Sequence, residues 1–199
     1  MRCLGHQGAW GIGMKGNTVN RIASVFIATS LDGFIAREDG DIEWLNDANK
    51  FAPEGEDCGY SAFMNSVDVL VMGRNTFEKV LTFGPWHYGD KPVIVLSSNK
   101  LEIPENLPET VSCSSESPVV LSDRLAKKGA KRIYIDGGLT IQRFLAEGLI
   151  KDITITVIPV ILGRGIPLFD SVGKDIPLKH ISTTAYDFGF VQSTYEVEA

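Results

Sequence analysis

The sequence predicts one α/β domain built on a mixed sheet, with a parallel centre and antiparallel strands at the C-terminal edge. Apolar runs suited to buried strands alternate with helical spacing as far as residue 148. Beyond that point, strand-like stretches follow one another with no helical pattern between them, which favours antiparallel pairing. The chain has 199 residues, the length of one ordinary domain. We therefore expect residues 21–199 to form a single domain.

The elements follow from the spacing of the apolar residues. Strands are predicted at residues 22–28, 34–36, 67–72, 92–96, 110–113, 132–135, 153–157, 178–184 and 190–197. Helices are predicted at residues 41–48, 60–65, 75–81, 123–129 and 138–147, with Gly148 ending the last one. Residues 82–91 contain two glycines and a proline and are interpreted as a surface loop.

Composition and charge narrow the range of functions. The chain is 44% hydrophobic and 22% charged, which is typical of a globular protein. Its formal net charge of −6 argues against a broad nucleic-acid-binding surface. Cys3, Cys58 and Cys113 lie far apart and form no C-x-x-C pair, which predicts a reducing, cytoplasmic environment. No apolar run reaches the length of a membrane span.

The N-terminal segment is unlike the rest of the chain. Residues 1–20 contain five glycines and no apolar stretch typical of a signal peptide, so we expect a poorly ordered extension with Met14 as an alternative start. Residues 11–16 fit G-x-G-x-x-G, but no strand precedes them and a predicted strand follows. The context of a dinucleotide-binding loop is therefore missing, and we expect no cofactor role for this motif.

Three polar clusters follow predicted parallel strands. They are Gly73-Arg74-Asn75-Thr76, Ser97-Ser98-Asn99-Lys100 and Asp136-Gly137-Gly138-Leu139-Thr140. Backbone N–H groups at a helix start favour an anion, and the carboxyl ends of parallel strands meet at one edge of the sheet. Each cluster alone is more typical of a turn and helix cap than of a binding site. Three at the same edge favour phosphate binding.

Other chemistries lack their motifs. The three histidines show no metal-ligand spacing, so no metal is expected. Neither G-x-S-x-G, H-E-x-x-H nor G-x-x-x-x-G-K-[ST] occurs in the sequence. Phosphate binding without hydrolytic machinery indicates a nucleotide cofactor used for redox chemistry.

The order of the motifs carries a family resemblance. Residues 30–36 (SLDGFIA) and 40–45 (GDIEWL) look like the opening of the dihydrofolate reductase-like superfamily, and residues 71–78 (VMGRNTFE) resemble its cofactor motif. Residues 136–169 are similar to the C-terminal reductase domain of bifunctional riboflavin-biosynthesis proteins. The resemblance runs from about residue 22 to the C-terminus and implies a three-layer domain, with helices on both faces of a mainly parallel sheet.

The resemblance implies NADPH as the cofactor. The residues implied are Ala28 and Ile35 at the nicotinamide, Gly73, Arg74, Asn75 and Thr76 at the pyrophosphate and adenosine phosphate, Ser97, Ser98 and Asn99 at the 2′-phosphate and adenine, and Gly137, Gly138, Leu139 and Thr140 at the diphosphate and nicotinamide ribose.

Catalytic and substrate residues follow from the same resemblance. Asp41 matches the place of the acid that protonates the substrate in dihydrofolate reductase, and Glu43 is the second candidate. The alternative for Asp41 is a helix N-cap. Trp44, Leu45 and Met64 would form the substrate wall, with plain core residues as the alternative.

The implied activity is hydride transfer from NADPH to a C=N or C=O carbon of a small heterocyclic or ribose-phosphate substrate. The chain would resemble 5-amino-6-(5-phosphoribosylamino)uracil reductase, with dihydrofolate reductase and a non-catalytic NADPH-binding module as alternatives. One departure concerns the basic residue that the riboflavin-pathway reductases carry in the first strand, because Phe26 stands at that position. The resemblance also implies a homodimer formed through the C-terminal strands.

Overall fold

The computed structural model describes residues 21–170 and 172–198. The strands are β1 (Ala23–Ser30), β2 (Phe34–Ala36), β3 (Val69–Gly73), β4 (Val93–Leu96), β5 (Val111–Ser114), β6 (Ile133–Asp136), β7 (Ile150–Ile158), β8 (Ile166–Pro167), β9 (Leu178–Ala185) and β10 (Val191–Val197). The helices are α1 (Glu43–Asn49), α2 (Tyr60–Asn65), α3 (Arg74–Val80), α4 (Pro118–Lys127) and α5 (Gly138–Ala146), and a short 3-10 helix spans Leu81–Phe83. The expectations for residues 1–20, including the motif at residues 11–16, lie outside the described residues.

Within the described residues, one eight-stranded sheet has the order β5-β4-β3-β6-β1-β7-β10-β9. The six strands from β5 to β7 pair in parallel, whereas β10 and β9 are antiparallel to their neighbours. The predicted mixed sheet with an antiparallel C-terminal edge is confirmed. Parallel strands need crossover connections, which helices supply everywhere except between β4 and β5, where a loop does so, and antiparallel strands need only a turn.

Helices cover both faces of the parallel part of the sheet, so the expected three layers are confirmed. Successive side chains of β3 point to opposite faces. Val71 packs into a core shared with Phe144 of α5 and with α4. Met72 packs into a second core, together with Phe63 of α2 and Phe77 of α3. Burying each of these side chains contributes about 1.5–3 kcal/mol, which explains why the strand is apolar throughout.

Two elements differ from the sequence expectations. Helix α4 begins at Pro118 rather than at residue 123, because Pro118 suits the first helical turn and the Ser117 hydroxyl accepts the Val120 N–H at 3.4 Å. Strand β8 was not predicted. It has two residues, which pair with β2, and no local sequence pattern predicts this pairing.

Other parts of the prediction hold with small changes. Gly148 does end α5, with a φ of 66°. Residues 82–91 were interpreted as a surface loop, but Trp86 and Tyr88 are half-buried and pack against the second core, with 6.1 Å between the Trp86 and Phe77 ring centroids. Among the described residues, no helix has the length and apolar character needed to span a bilayer.

Candidate active site

One cavity of about 680 Å³ lies at the carboxyl ends of β3, β4 and β6, beside the first turns of α3 and α5. Ligands of open α/β sheets bind at this edge. Every residue predicted to contact a nicotinamide cofactor lines this cavity. These residues are Ala28, Ile35, Gly73, Arg74, Asn75, Thr76, Ser97, Ser98, Asn99, Gly137, Gly138, Leu139 and Thr140. The fold therefore brings the three strand-end clusters together, and their role in cofactor binding remains a prediction.

Two glycines allow the starts of α3 and α5 to approach each other. A Cβ on Gly73 would lie 2.8 Å from the Thr140 hydroxyl oxygen. A Cβ on Gly137 would collide with the Thr76 hydroxyl, and Gly137 also has a φ of +88°. Only glycine satisfies both conditions at Gly137 without strain. The threonine of each helix thus packs against the glycine that precedes the other helix.

The start of α5 is suited to an anion. Its N-cap residue, Gly137, offers no side chain to accept the first helical N–H groups. Those groups have no carbonyl partner within the helix, and the helix dipole adds partial positive charge there. Gly138 and Leu139, whose N–H groups belong to this first turn, both line the cavity. A phosphate group would therefore find backbone donors at this position.

The basic side chains that line the cavity, among the described residues, are Arg74, Lys79 and Arg143. The Arg74 Nε donates to a Glu78 carboxylate oxygen at 2.7 Å, one turn further along α3. That bond leaves the terminal N–H groups of the guanidinium for a phosphate. The Lys79 ammonium lies 5.9 Å from the centroid of the Phe83 ring.

An acidic residue near the end of β5 also lines the cavity. Ser114 lies beside Ser97, whose N–H donates to the Ser114 carbonyl at 3.0 Å. Glu116 follows on the same loop, lines the cavity and pairs with Arg124 at 2.6 Å. The Arg124 guanidinium, helped by the Ser114 hydroxyl, lowers the pKa of the Glu116 carboxyl. A charged carboxylate therefore stands next to the serines predicted to hold the 2′-phosphate.

Asp136, at the end of β6, lines the cavity and is a functional candidate that sequence reasoning passed over. Burial raises the pKa of its carboxyl to about 6, although the Gly137 N–H, which donates at 2.9 Å, acts in the opposite direction. An acid with a pKa near neutrality is suited to proton transfer. The available signal was an acidic residue placed directly between an apolar strand and two glycines.

Tyrosines surround this carboxyl. Burial and the Asp136 charge raise the pKa of Tyr60 to about 12, and the same two causes raise the pKa of Tyr88, which lines the cavity. Tyr134 is buried, and its hydroxyl donates to the Phe26 carbonyl at 2.9 Å. These phenols therefore stay protonated at neutral pH, which leaves Asp136 as the member of this group that can change its charge.

Asp41 and Glu43 lie outside the residues that line the cavity. The Asp41 carboxylate accepts the Glu43 N–H at 3.1 Å and lies 3.7 Å from the Arg37 Nε. The N-cap residue of α1 is Ile42, which makes no side-chain capping bond, so the alternative of an N-cap at Asp41 is wrong. The Asp41 carboxylate instead closes a local turn just before the helix. Its neighbours Gly40 and Ile42 do line the cavity, so Asp41 stands next to it. A role for either acid in proton transfer remains a prediction.

The three predicted substrate residues lie in different environments, and only one of them lines the cavity. Leu45 lines the cavity. Trp44 is buried in a small core with Ile158, and Met64 packs against the second core. The side chain of Phe26 also packs away from the cavity, with 4.9 Å between its ring centroid and that of Phe63.

The fold is that of a dihydrofolate reductase-like domain. The structure of dihydrofolate reductase from Enterococcus faecalis, complexed with NADP(H), has a TM-score of 0.59 at 18% identity and covers 90% of this chain and 98% of that one. At this identity the similarity concerns the fold alone.

Sequence similarity defines the family more narrowly. The model of the RibD C-terminal domain matches residues 22–191, and the chain belongs to that family, which makes it a reductase-like domain. The uncharacterized protein YwjB of Bacillus subtilis is 37% identical over 163 residues, covering 81% of this chain and 90% of YwjB. A structure from Shewanella sp. PV-4, provisionally named a riboflavin biosynthesis protein, is 40% identical, with a TM-score of 0.83, and covers 89% of this chain and 99% of that one.

Proposed function

We propose that this protein is an NADPH-dependent reductase that acts on a C=N or C=O bond of a small heterocyclic substrate. The observation that carries the proposal is the convergence of the three strand-end clusters on one cavity that is also lined by the half-buried Asp136. NADPH would supply the hydride. The protein would hold the two reactants together and manage one proton, and positioning alone accounts for much of the rate of such reactions.

The polar residues at the strand ends that line the cavity are suited to binding a dinucleotide. The Arg74 guanidinium is suited to the pyrophosphate and the adenosine phosphate, and the first N–H groups of α5 are suited to the diphosphate. The serine and asparagine cluster at the end of β4, Ser97 to Asn99, is suited to the adenosine end. Because Gly73 and Gly137 lack side chains, the backbone at both helix starts is open to close approach.

Asp136 is the group that we propose to supply the proton. Its carboxyl is protonated below a pKa of about 6 and lines the same cavity. Asp41 is the alternative donor, because Gly40 and Ile42 on either side of it line the cavity. Glu43 is exposed and hydrogen bonded to Asn46 at 3.4 Å, which makes it the third candidate.

For the substrate, family membership favours a pyrimidine ribose-phosphate of the riboflavin pathway. Dihydrofolate is the alternative, supported by the shared fold. A non-catalytic NADPH-binding module is the alternative from another class of protein. It is supported by Phe26, which stands where a basic residue is expected and packs on Phe63 and Tyr60 instead.

Two measurements on the purified chain test the proposal. Fluorescence titration with NADPH and with NADH measures cofactor binding, and the loss of NADPH absorbance measures turnover. The substrates are 5-amino-6-(5-phosphoribosylamino)uracil and dihydrofolate. We expect tighter binding of NADPH than of NADH, and oxidation of NADPH with one of the two substrates. NADPH binding without turnover of either supports the binding module, and absence of NADPH binding contradicts the proposal.

We also propose a homodimer and a cytoplasmic location. Every residue of β9, the outer strand of the antiparallel edge, is exposed, including Leu178 at 41% and Ile181 at 51%. Such an edge offers unpaired backbone groups to a second copy. Light scattering after gel filtration gives the mass in solution.

The cysteines Cys58 and Cys113 are free thiols, which suits a reducing compartment.

A further inference from the structure

Lys79 lies on the cavity-facing side of α3. In a helix, residues three and four apart share a face. Asn75 and Thr76 precede Lys79 by four and three residues, and all three line the cavity. At 1.5 Å per residue, Lys79 stands about 5 Å further along the helix than these two residues. Its ammonium is therefore displaced from the segment suited to the dinucleotide phosphates.

The surroundings of Lys79 are apolar. Val80 and Phe83, which follow it, both line the cavity, and the Phe83 ring centroid is 5.9 Å from the ammonium. Among the ion pairs formed by the described residues, none includes Lys79, whereas Arg74 on the same helix is paired with Glu78 at 2.7 Å. Lys79 is half-buried as a residue, and an ammonium without a carboxylate partner is a strong donor for an incoming anion.

The other basic residues have different neighbours. Arg143 follows Leu139 and Thr140 by four and three residues on α5, so the three lie on one face of the helix. Arg143 therefore stands beside the predicted cofactor. Arg74 belongs to the cluster at the end of β3. Lys79 is thus the basic side chain that stands beside apolar residues of the cavity lining, Val80 and Phe83.

We propose that Lys79 binds the anionic tail of the substrate. This inference rests on the proposed reductase function and adds a residue for substrate recognition. Both candidate substrates carry such a tail, a phosphate on the ribose or the carboxylates of dihydrofolate. A charge-assisted hydrogen bond to either group would orient the heterocycle, which the apolar wall would otherwise hold only by contact.

The experiment compares Lys79→Met with Lys79→Arg and the wild type. Lys127→Met is the matched control, because Lys127 is exposed at the far end of α4 and does not line the cavity. Each variant is assayed with the ribose-phosphate substrate and its dephosphorylated nucleoside, and with dihydrofolate and a dihydropterin lacking the glutamate tail. NADPH affinity and the melting temperature are measured in parallel.

For Lys79→Met we expect KM to rise about tenfold for the substrate that is turned over, with little change in kcat, since one charge-assisted hydrogen bond is lost. The matched tail-less compound should show no such rise, and Lys79→Arg should restore most of the affinity. The pair of compounds that shows the difference identifies phosphate or carboxylate as the ligand of Lys79.

Other outcomes separate this inference from the proposed function. A wild type that binds no NADPH contradicts the reductase itself. A wild type that binds NADPH and turns over substrate, with the same KM in Lys79→Met, contradicts the role of Lys79 alone. Loss of NADPH affinity in Lys79→Met would place the ammonium at the cofactor and would also overturn the inference.

Discussion

The Thr140 hydroxyl oxygen lies 2.8 Å from the position that a Cβ on Gly73 would occupy, and the Thr76 hydroxyl is placed in the same way against Gly137. The residues involved come from two strand–helix junctions far apart in the chain. Their reciprocal packing fixes the distance between the starts of α3 and α5. This packing positions the two helix starts relative to each other before any ligand enters, and a preorganised site lowers the cost of ordering on binding.

Gly137→Ala tests this packing. The added Cβ meets the Thr76 hydroxyl, and alanine is strained at a φ of +88°, so we expect a loss of about 1–3 kcal/mol in the free energy of unfolding. NADPH affinity should fall as well. Gly129→Ala is the matched control, because Gly129 has a φ of +95° with open space around it. Equal losses of stability in the two variants would show that the contact with Thr76 contributes nothing.

Arg74→Ala tests the phosphate assignment. The guanidinium lines the cavity and donates to Glu78 at 2.7 Å, and this pair is too exposed to add much stability. We expect NADPH affinity to fall about tenfold or more, with a smaller fall for NADH and an unchanged melting temperature. Fluorescence titration measures both affinities. Equal losses of affinity for NADPH and NADH would show that Arg74 does not bind the adenosine phosphate.

Glu116→Gln tests the adenosine end. The Arg124 guanidinium keeps the Glu116 carboxyl ionised by lowering its pKa, and this negative charge opposes a 2′-phosphate nearby. Removing the charge should raise NADPH affinity about threefold or more and leave NADH affinity unchanged. Glu105→Gln is the control, since Glu105 is exposed and does not line the cavity. Unchanged NADPH affinity in Glu116→Gln would place the 2′-phosphate elsewhere.

Asp136→Asn tests the proton donor. Asparagine keeps the shape of the side chain and cannot supply the proton, so we expect normal NADPH binding and turnover lowered about a hundredfold. In the wild type, turnover should fall as the pH rises through the pKa of about 6, and the variant should lose this dependence. Asp41→Asn and Glu43→Gln are measured beside it. If Asp41→Asn alone slows turnover, Asp41 is the donor.

The same variant has a predicted effect on stability. The pKa of Asp136 is raised from 3.8 to about 6 in the folded protein, so the folded state binds the proton more tightly than the unfolded state. Stability contributed by this site is therefore lost between about pH 4 and pH 6 and stays low above that range. Asp136→Asn should raise the free energy of unfolding by about 3 kcal/mol at pH 7.5 and by much less at pH 4.5. Urea unfolding at the two pH values measures the difference, and an equal change at both would contradict the raised pKa.

The parallel centre of the sheet was predictable in large part because strands such as β3 and β4 are apolar runs that end directly in turn residues, as at Val69–Gly73. The start of α4 was missed although Ser117 and Pro118 are ordinary helix-start residues. The pairing of β2 with β8 had no signal, since two residues cannot form a periodic pattern and their partners lie far along the chain. The placement of Asp41 beside the cavity rather than in it likewise depends on how α1 packs.

The sequence alone determined which chemistry lies at each strand end, because glycine, hydroxyl and basic residues placed directly after an apolar run act through local backbone geometry. Only the tertiary structure decided which titratable groups enter the cavity. Asp136 has a raised pKa because surrounding elements bury it, and Lys79 faces the cavity because α3 packs on the sheet in one orientation. The burial of a group and the charges near it depend on residues from distant parts of the chain, so no local sequence pattern predicts them.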